Sequence, residues 1–190
     1  MDGLGHRGRF SDAPNREHIR IKGLNVMSVR SRFLPVLALA GALVSGPAAA
    51  APVGPDAARC ASGRGPALLV GVAGLSPLRG QVNIYVFNSA RTWLQSGQRI
   101  RRINVPARAR AMDVCVALPA AGRYAVVVRH DQNNSRSSDW NDGAGFSRNP
   151  RLSLVNLKPA FGSAAFNAGA GVTRVPVTMQ YRQGVSVRPR

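Results

Sequence analysis

The stretch Gly122-Arg123-Tyr124-Ala125-Val126-Val127-Val128-Arg129-His130 decides the fold class. Tyr124, Val126 and Val128 recur at every second position, the period of a strand that lays one face on a core. Consecutive valines are stiff at χ1 and suit extended backbone. His130 closes the inward-facing register. A tight connection, Leu118-Pro119-Ala120-Ala121-Gly122, precedes this strand, and a long polar stretch, Asp131 to Pro150, follows it.

The same alternation spreads outward along the chain. Runs at Ala67–Val72, Val82–Phe87, Arg102–Val105 and Met112–Leu118 read as strands bounded by turn residues. Two more are expected near Ala164–Asn167 and at Val172–Tyr181. In the last, Pro176 falls on the outer register, which suits an edge. Ser89–Leu94 reads as a short helical turn with Ser89 as N-cap and Trp93 and Leu94 turned inward. No long helical pattern occurs, and the 13 prolines and 20 glycines fit a turn-rich β domain. The expected fold is therefore all-β: a single antiparallel β-sandwich of about seven strands over residues 67–182. Residues 51–66 are expected as a linker, and 183–190 as a flexible tail.

From Met27 the chain reads as a secretory signal peptide over 27–50. Arg30 and Arg32 form a basic start, Phe33 to Val44 an apolar run, and Ala48-Ala49-Ala50 a small-residue cleavage box before Ala51. A membrane anchor is the competing reading, but this run is interrupted by Pro35 and falls short of the roughly 20 residues a span needs. No transmembrane segment is expected in the mature form. Residues 1–26 are polar and patternless, a disordered extension or an over-long gene model.

Export places Cys60 and Cys115, the two cysteines of the chain, in an oxidising compartment, where an even count favours a disulfide. Closing that loop stabilises the fold by about 4 kcal/mol on chain-entropy grounds. Cys115 lies out of register with Met112, Val114, Val116 and Leu118, so the bridge would tie the N-terminal segment across a strand.

The net charge is +18. Seven of the 26 basic and three of the eight acidic residues precede Ala51, which leaves +14 on the rest. Such a charge favours anionic partners, an envelope component or an anionic glycan or lipid. The arginines are scattered, with no aromatic interleaving or recognition helix, so no specific nucleic-acid role is expected.

Several ordered motifs resemble a bacterial exported family labelled domain of unknown function 2141. They are Gly80-Gln81-Val82 leading to Val86-Phe87-Asn88-Ser89, Leu118-Pro119 with Gly122-Arg123-Tyr124-Ala125-Val126, His130-Asp131-Gln132-Asn133, and Gly145-Phe146-Ser147-Arg148-Asn149. The resemblance implies a transthyretin-like or immunoglobulin-like sandwich outside the cytoplasm, with no established activity.

The loop after His130 holds the candidate site. Family members tend to carry alternating Asp and Asn followed by Gly there, a pattern like a calcium loop. In this chain Asp131, Asn133, Asp139 and Asp142 could supply oxygens, but Ser135 and Arg136 stand where the turn glycine would be. Asp131 and Asn133 are thus expected to shape the turn, with no metal and no cofactor. His130 beside Asp131 makes no catalytic triad; a neutral, hydrogen-bonded histidine is expected. Trp140 could stack on a ligand, whereas Phe146 is expected to plug the end of the sandwich. The expected function is a non-catalytic envelope module of unknown ligand. The alternatives are a hydrolase-like enzyme using His130 and Asp131, or a binder of anionic polymer or lipid through arginines.

Overall fold

The computed structural model describes residues 51–190. The expected leader at 27–50 and the extension at 1–26 lie outside the described residues. Along the chain run α1 (Ala57–Ser62), β1 (Ala67–Ala73), β2 (Gln81–Phe87), β3 (Arg101–Pro106), β4 (Ala111–Ala117), β5 (Gly122–Asp131) and β6 (Gly143–Phe146). Then come α2 (Phe161–Ala164), β7 (Phe166–Ala168), β8 (Val172–Thr178), β9 (Gln180–Gln183) and β10 (Ser186–Arg188). The protein is all-β, and its strands form two sheets.

The smaller sheet has the order β4-β1-β8. β1 runs antiparallel to β4 and parallel to β8. The larger sheet runs β10-β9-β6-β5-β2-β3, and β7 continues alongside β5 where β6 stops. All its pairs are antiparallel. The expectation of about seven strands, all antiparallel, is thus corrected: the described residues form ten strands, with one parallel pair among them. Alternation reveals that a strand has a buried face but not the direction of its neighbour. Pro176 lies in β8, at an edge of the smaller sheet, where its missing N–H costs no ladder bond.

Leu68, Val70 and Val72 of β1, Val114 and Val116 of β4, and Val175 and Val177 of β8 share one core with the larger sheet. The larger sheet contributes Val82, Ile84 and Val86 of β2 and Tyr124, Val126 and Val128 of β5. Each such side chain contributes about 1.5–3 kcal/mol by leaving water.

The opposite face of the larger sheet carries a second apolar cluster: Phe87, Ala125, Val127, Phe146, Leu152, Ala164 and Ala165. Trp93 covers it. The Trp93 indole N–H donates to the Pro159 carbonyl (2.8 Å), and its ring meets Phe87 and Phe161 edge-on at 5.2 and 5.7 Å. Phe146, expected at the end of the sandwich, belongs to this outer layer instead.

The segment expected as a linker carries α1 and pairs with β4. The Val53 N–H donates to Asp113 (2.8 Å), and the Cys115 N–H donates back to Val53 (3.0 Å). Cys60 of α1 meets Cys115 at disulfide distance, with S–S 1.95 Å and Cα–Cα 5.9 Å. Asp56 accepts the Ala117 N–H (2.8 Å) and an Arg101 N–H (2.6 Å). Burial alone would raise its pKa; these donors and the charge of Arg101 outweigh burial and hold it below the usual value. The tail expected to be flexible forms a hairpin from β9 to β10, turning at Gly184, whose φ of +60° suits glycine.

Candidate functional site

Successive side chains of β5 point to opposite faces of the larger sheet. His130, at the end of the inner register, is fully buried. Its Nδ1 lies 2.8 Å from the Tyr181 hydroxyl, and its Nε2 lies 2.8 Å from the Arg79 carbonyl. A carbonyl only accepts, so Nε2 carries the proton and Nδ1 accepts from the Tyr181 O–H. That hydroxyl in turn accepts the Ser76 N–H (3.1 Å). Both His130 ring nitrogens and the Tyr181 hydroxyl are thus engaged. Burial pushes the His130 pKa down, and nearby Asp142 and Asp131 only partly oppose it. A glycine at 143 is required here, because a Cβ on Gly143 would overlap the Tyr181 ring.

Asp131 faces the other way and organises the loop. Its Oδ1 accepts the Ser135 N–H (3.1 Å), and its Oδ2 accepts the Arg136 N–H (2.9 Å). Arg129 lies 3.5 Å from Oδ2. Asp139 accepts from the Asn133 amide (2.8 Å) and the Ser135 and Ser137 hydroxyls (2.6 and 3.0 Å). These donors hold its pKa below the usual carboxylate value. Asp142 accepts the Gln132 and Asp139 N–H groups, both at 3.3 Å, while burial raises its pKa. The loop carboxylates thus spend their oxygens on the loop's own N–H and O–H groups.

The loop walls a groove of about 650 Å³ on the outer face of the larger sheet. Its floor is Tyr85, Val127, Ala144 and Phe146, with Leu152 and Val187 beside them. Trp140 stands in the wall, 73% exposed, with the Arg182 guanidinium 3.6 Å from its ring centroid. Leu154 and Leu157 edge the far side and are exposed. Arg99, Arg129 and Lys158 join Arg182 on the lining. A smaller polar recess of about 580 Å³ is lined by Gln81, Asn83, Arg102, Asn104, Asp131 and Arg136, among others.

Of the candidate residues, Asp139, Trp140 and Asp142 reach the groove and Asp131 reaches the recess. Asn133 ties Asp139 within the loop, and His130 faces the core away from both. Sequence reasoning missed Tyr85, Arg99, Arg129 and Arg182. The available signal was the second register of β2 and β5, where Tyr85, Phe87 and Val127 are too apolar for a solvated face.

A groove with an apolar floor, an exposed aromatic and cationic edges can hold a small amphipathic molecule by burial, stacking and charge. No curated protein and no solved structure matches the chain significantly. A family model described as "Uncharacterized protein conserved in bacteria (DUF2141)" matches residues 70–176, which take in β2 to β7 and most of β8, and the chain belongs to that family.

Proposed function

We propose that the chain is an exported, non-catalytic envelope module, a sandwich whose larger sheet binds a ligand in the groove on its outer face. The observation that carries this reading is the groove itself: about 650 Å³, floored by Tyr85, Val127 and Phe146, with Trp140 held open to solvent beside it. Its volume lies in the range of about 300–1,000 Å³ common to small-molecule sites. The binding reading is favoured over a hydrolase because both His130 nitrogens are engaged within the core. A histidine in that state has no free nitrogen to move a proton for a substrate. The leader expected at 27–50 supports export.

The test is a glycan and lipid array probed with protein purified after expression of the full chain, beside its Trp140→Ala variant. Binding to at least one class is expected from the wild type, and most of it should vanish in the variant. If no array member separates the two proteins, the groove is not the binding site. N-terminal sequencing of the exported product should begin at Ala51; a product that keeps Phe33–Val44 would overturn export by a cleaved leader.

A further inference from the structure

The outer face of the larger sheet changes polarity along the strands. Three facing pairs of β2 and β5 run in order: Phe87 with Ala125, Tyr85 with Val127, and Asn83 with Arg129. The first is wholly apolar, the second half so, and the third polar and cationic. On β6, Phe146 lies opposite Val127 and Ala144 opposite Arg129, and Leu152 packs with the same cluster. At the polar end Arg129 is joined by Arg99, whose guanidinium lies 5.3 Å from the Tyr85 ring centroid.

Two donors on this part of the sheet lack an acceptor among the described residues: Arg129 Nε on the groove lining and Asn83 Nδ2 in the neighbouring recess. Asn83 is 2% exposed, and the Arg129 side chain 15%. A buried N–H without an acceptor is unfavourable, most of all on a charged group, so Arg129 on the groove lining gains from an incoming anion. Asp131 reaches Arg129 at Nη2 (3.5 Å) and leaves Nε without an acceptor, while Asp139 and Asp142 accept from their own loop.

We propose that the groove takes a single-chain anionic amphiphile of the fatty-acid type. The acyl chain lies along Val127, Ala144, Phe146 and Leu152, and the carboxylate sits at Arg129 and Arg99. This rests on the groove-binding reading above and specifies its ligand. The floor offers no row of polar groups for a sugar. A volume of about 650 Å³ accommodates one acyl chain rather than the two of a membrane phospholipid. The cationic edge of Arg99, Arg129, Lys158 and Arg182 selects a negative head.

The experiment is calorimetric titration of protein purified after expression of the full chain. The ligands are dodecanoate and dodecyltrimethylammonium, each below its micelle concentration, and phosphatidylglycerol vesicles. Dodecanoate should saturate at one per chain, with the cationic amphiphile at least about tenfold weaker. Arg129→Gln and Arg99→Gln should each lower dodecanoate affinity by about tenfold. Arg99 makes no loop hydrogen bond, so its variant carries the test if Arg129→Gln does not fold. Equal affinity for both head groups would overturn the proposal, as would binding to vesicles but not to monomeric dodecanoate. If no amphiphile binds while the array still shows Trp140-dependent binding of a glycan, this inference fails and the groove reading stands. If neither binds, both fail.

Discussion

The two faces of β5 carry opposite kinds of order. On the inner face, Tyr124, Val126 and Val128 pack in the shared core, and His130 below them has both nitrogens bonded. On the outer face, Ala125 and Val127 are also buried, in a cluster with Phe146 and Leu152, but Tyr85 beside them is half-buried and Arg129 keeps an N–H without an acceptor among the described residues. The inner face is closed in both packing and hydrogen bonding; the outer face is closed at its apolar end and open from Tyr85 to Arg129. A strand spends one register on stability and can lend the second to recognition, so histidine on the first is structure and arginine on the second is a candidate for binding.

The strongest way to break this contrast is to truncate neighbours on β2. Ile84 is fully buried on the inner face, and Tyr85 next to it lines the groove. Ile84→Ala should cost about 2–5 kcal/mol in chemical denaturation, by lost burial and the cavity left behind. Tyr85→Ala should cost clearly less. Equal losses would mean that the groove floor is core, and the two faces would no longer differ.

A smaller effect is expected where the faces meet. Gly143→Ala places a methyl group against the Tyr181 ring, which must shift and release His130 and the Ser76 amide. The expected loss is about 1–3 kcal/mol. Tyr181→Phe tests the hydrogen bonds alone: the ring stays, while His130 Nδ1 and the Ser76 N–H lose their partner. Its loss should be no larger, measured by the same denaturation midpoint. A neutral Tyr181→Phe would show that the inner face tolerates open polar groups after all.

Much of the inner face was legible in the sequence. The alternation Val82, Ile84, Val86 and Tyr124, Val126, Val128 marks the β2 and β5 registers that meet in the core. β6 was not legible, because Gly143-Ala144-Gly145-Phe146 has low strand propensity; its place depends on Tyr181 and Val177, which approach so closely that a Cβ on Gly143 or Gly145 would strike them. β10 is short and lies in a segment rich in polar residues. The site was half legible. Composition picked out the loop with Asp139, Trp140 and Asp142, whereas the groove floor depends on which strands become neighbours. Arg129 and Arg182 are far apart in sequence and share a groove only through the pairing of β5 with β6 and β6 with β9.

The closed face should also show in pH. Burial lowers the folded-state pKa of His130 below its ordinary 6.5. The unfolded chain then binds the extra proton first as pH falls, so stability is full above about 6.5 and declines below it until the folded pKa is reached. Thermal midpoints measured at steps from pH 7.5 to 5.5 should fall with pH, and His130→Gln should flatten the decline. Asp142, whose pKa burial raises, acts in the opposite sense above the ordinary carboxylate value of 3.8. A decline that His130→Gln leaves untouched would assign the effect to other groups.

The smallest effect on stability is expected at Trp140, and that smallness is the point. The ring is 73% exposed, and its named partner is a guanidinium that is itself at the surface. Removing it loses one exposed cation–π contact of about 0.5–1 kcal/mol, and part of this returns as Arg182 regains water. Trp93→Ala is the internal control. Its indole donates to Pro159 and packs on Phe87, Phe146 and Phe161, so its loss should cost about 3–5 kcal/mol. If Trp140 serves recognition, its variant should melt within a degree or two of the wild type and yet fail to retain the ligand. If Trp140→Ala destabilises as Trp93→Ala does, the loop is part of the outer core and not the wall of an open groove. If it neither destabilises nor weakens binding, recognition falls to Arg99 and Arg129 on the groove lining, and Arg99→Gln becomes the deciding variant.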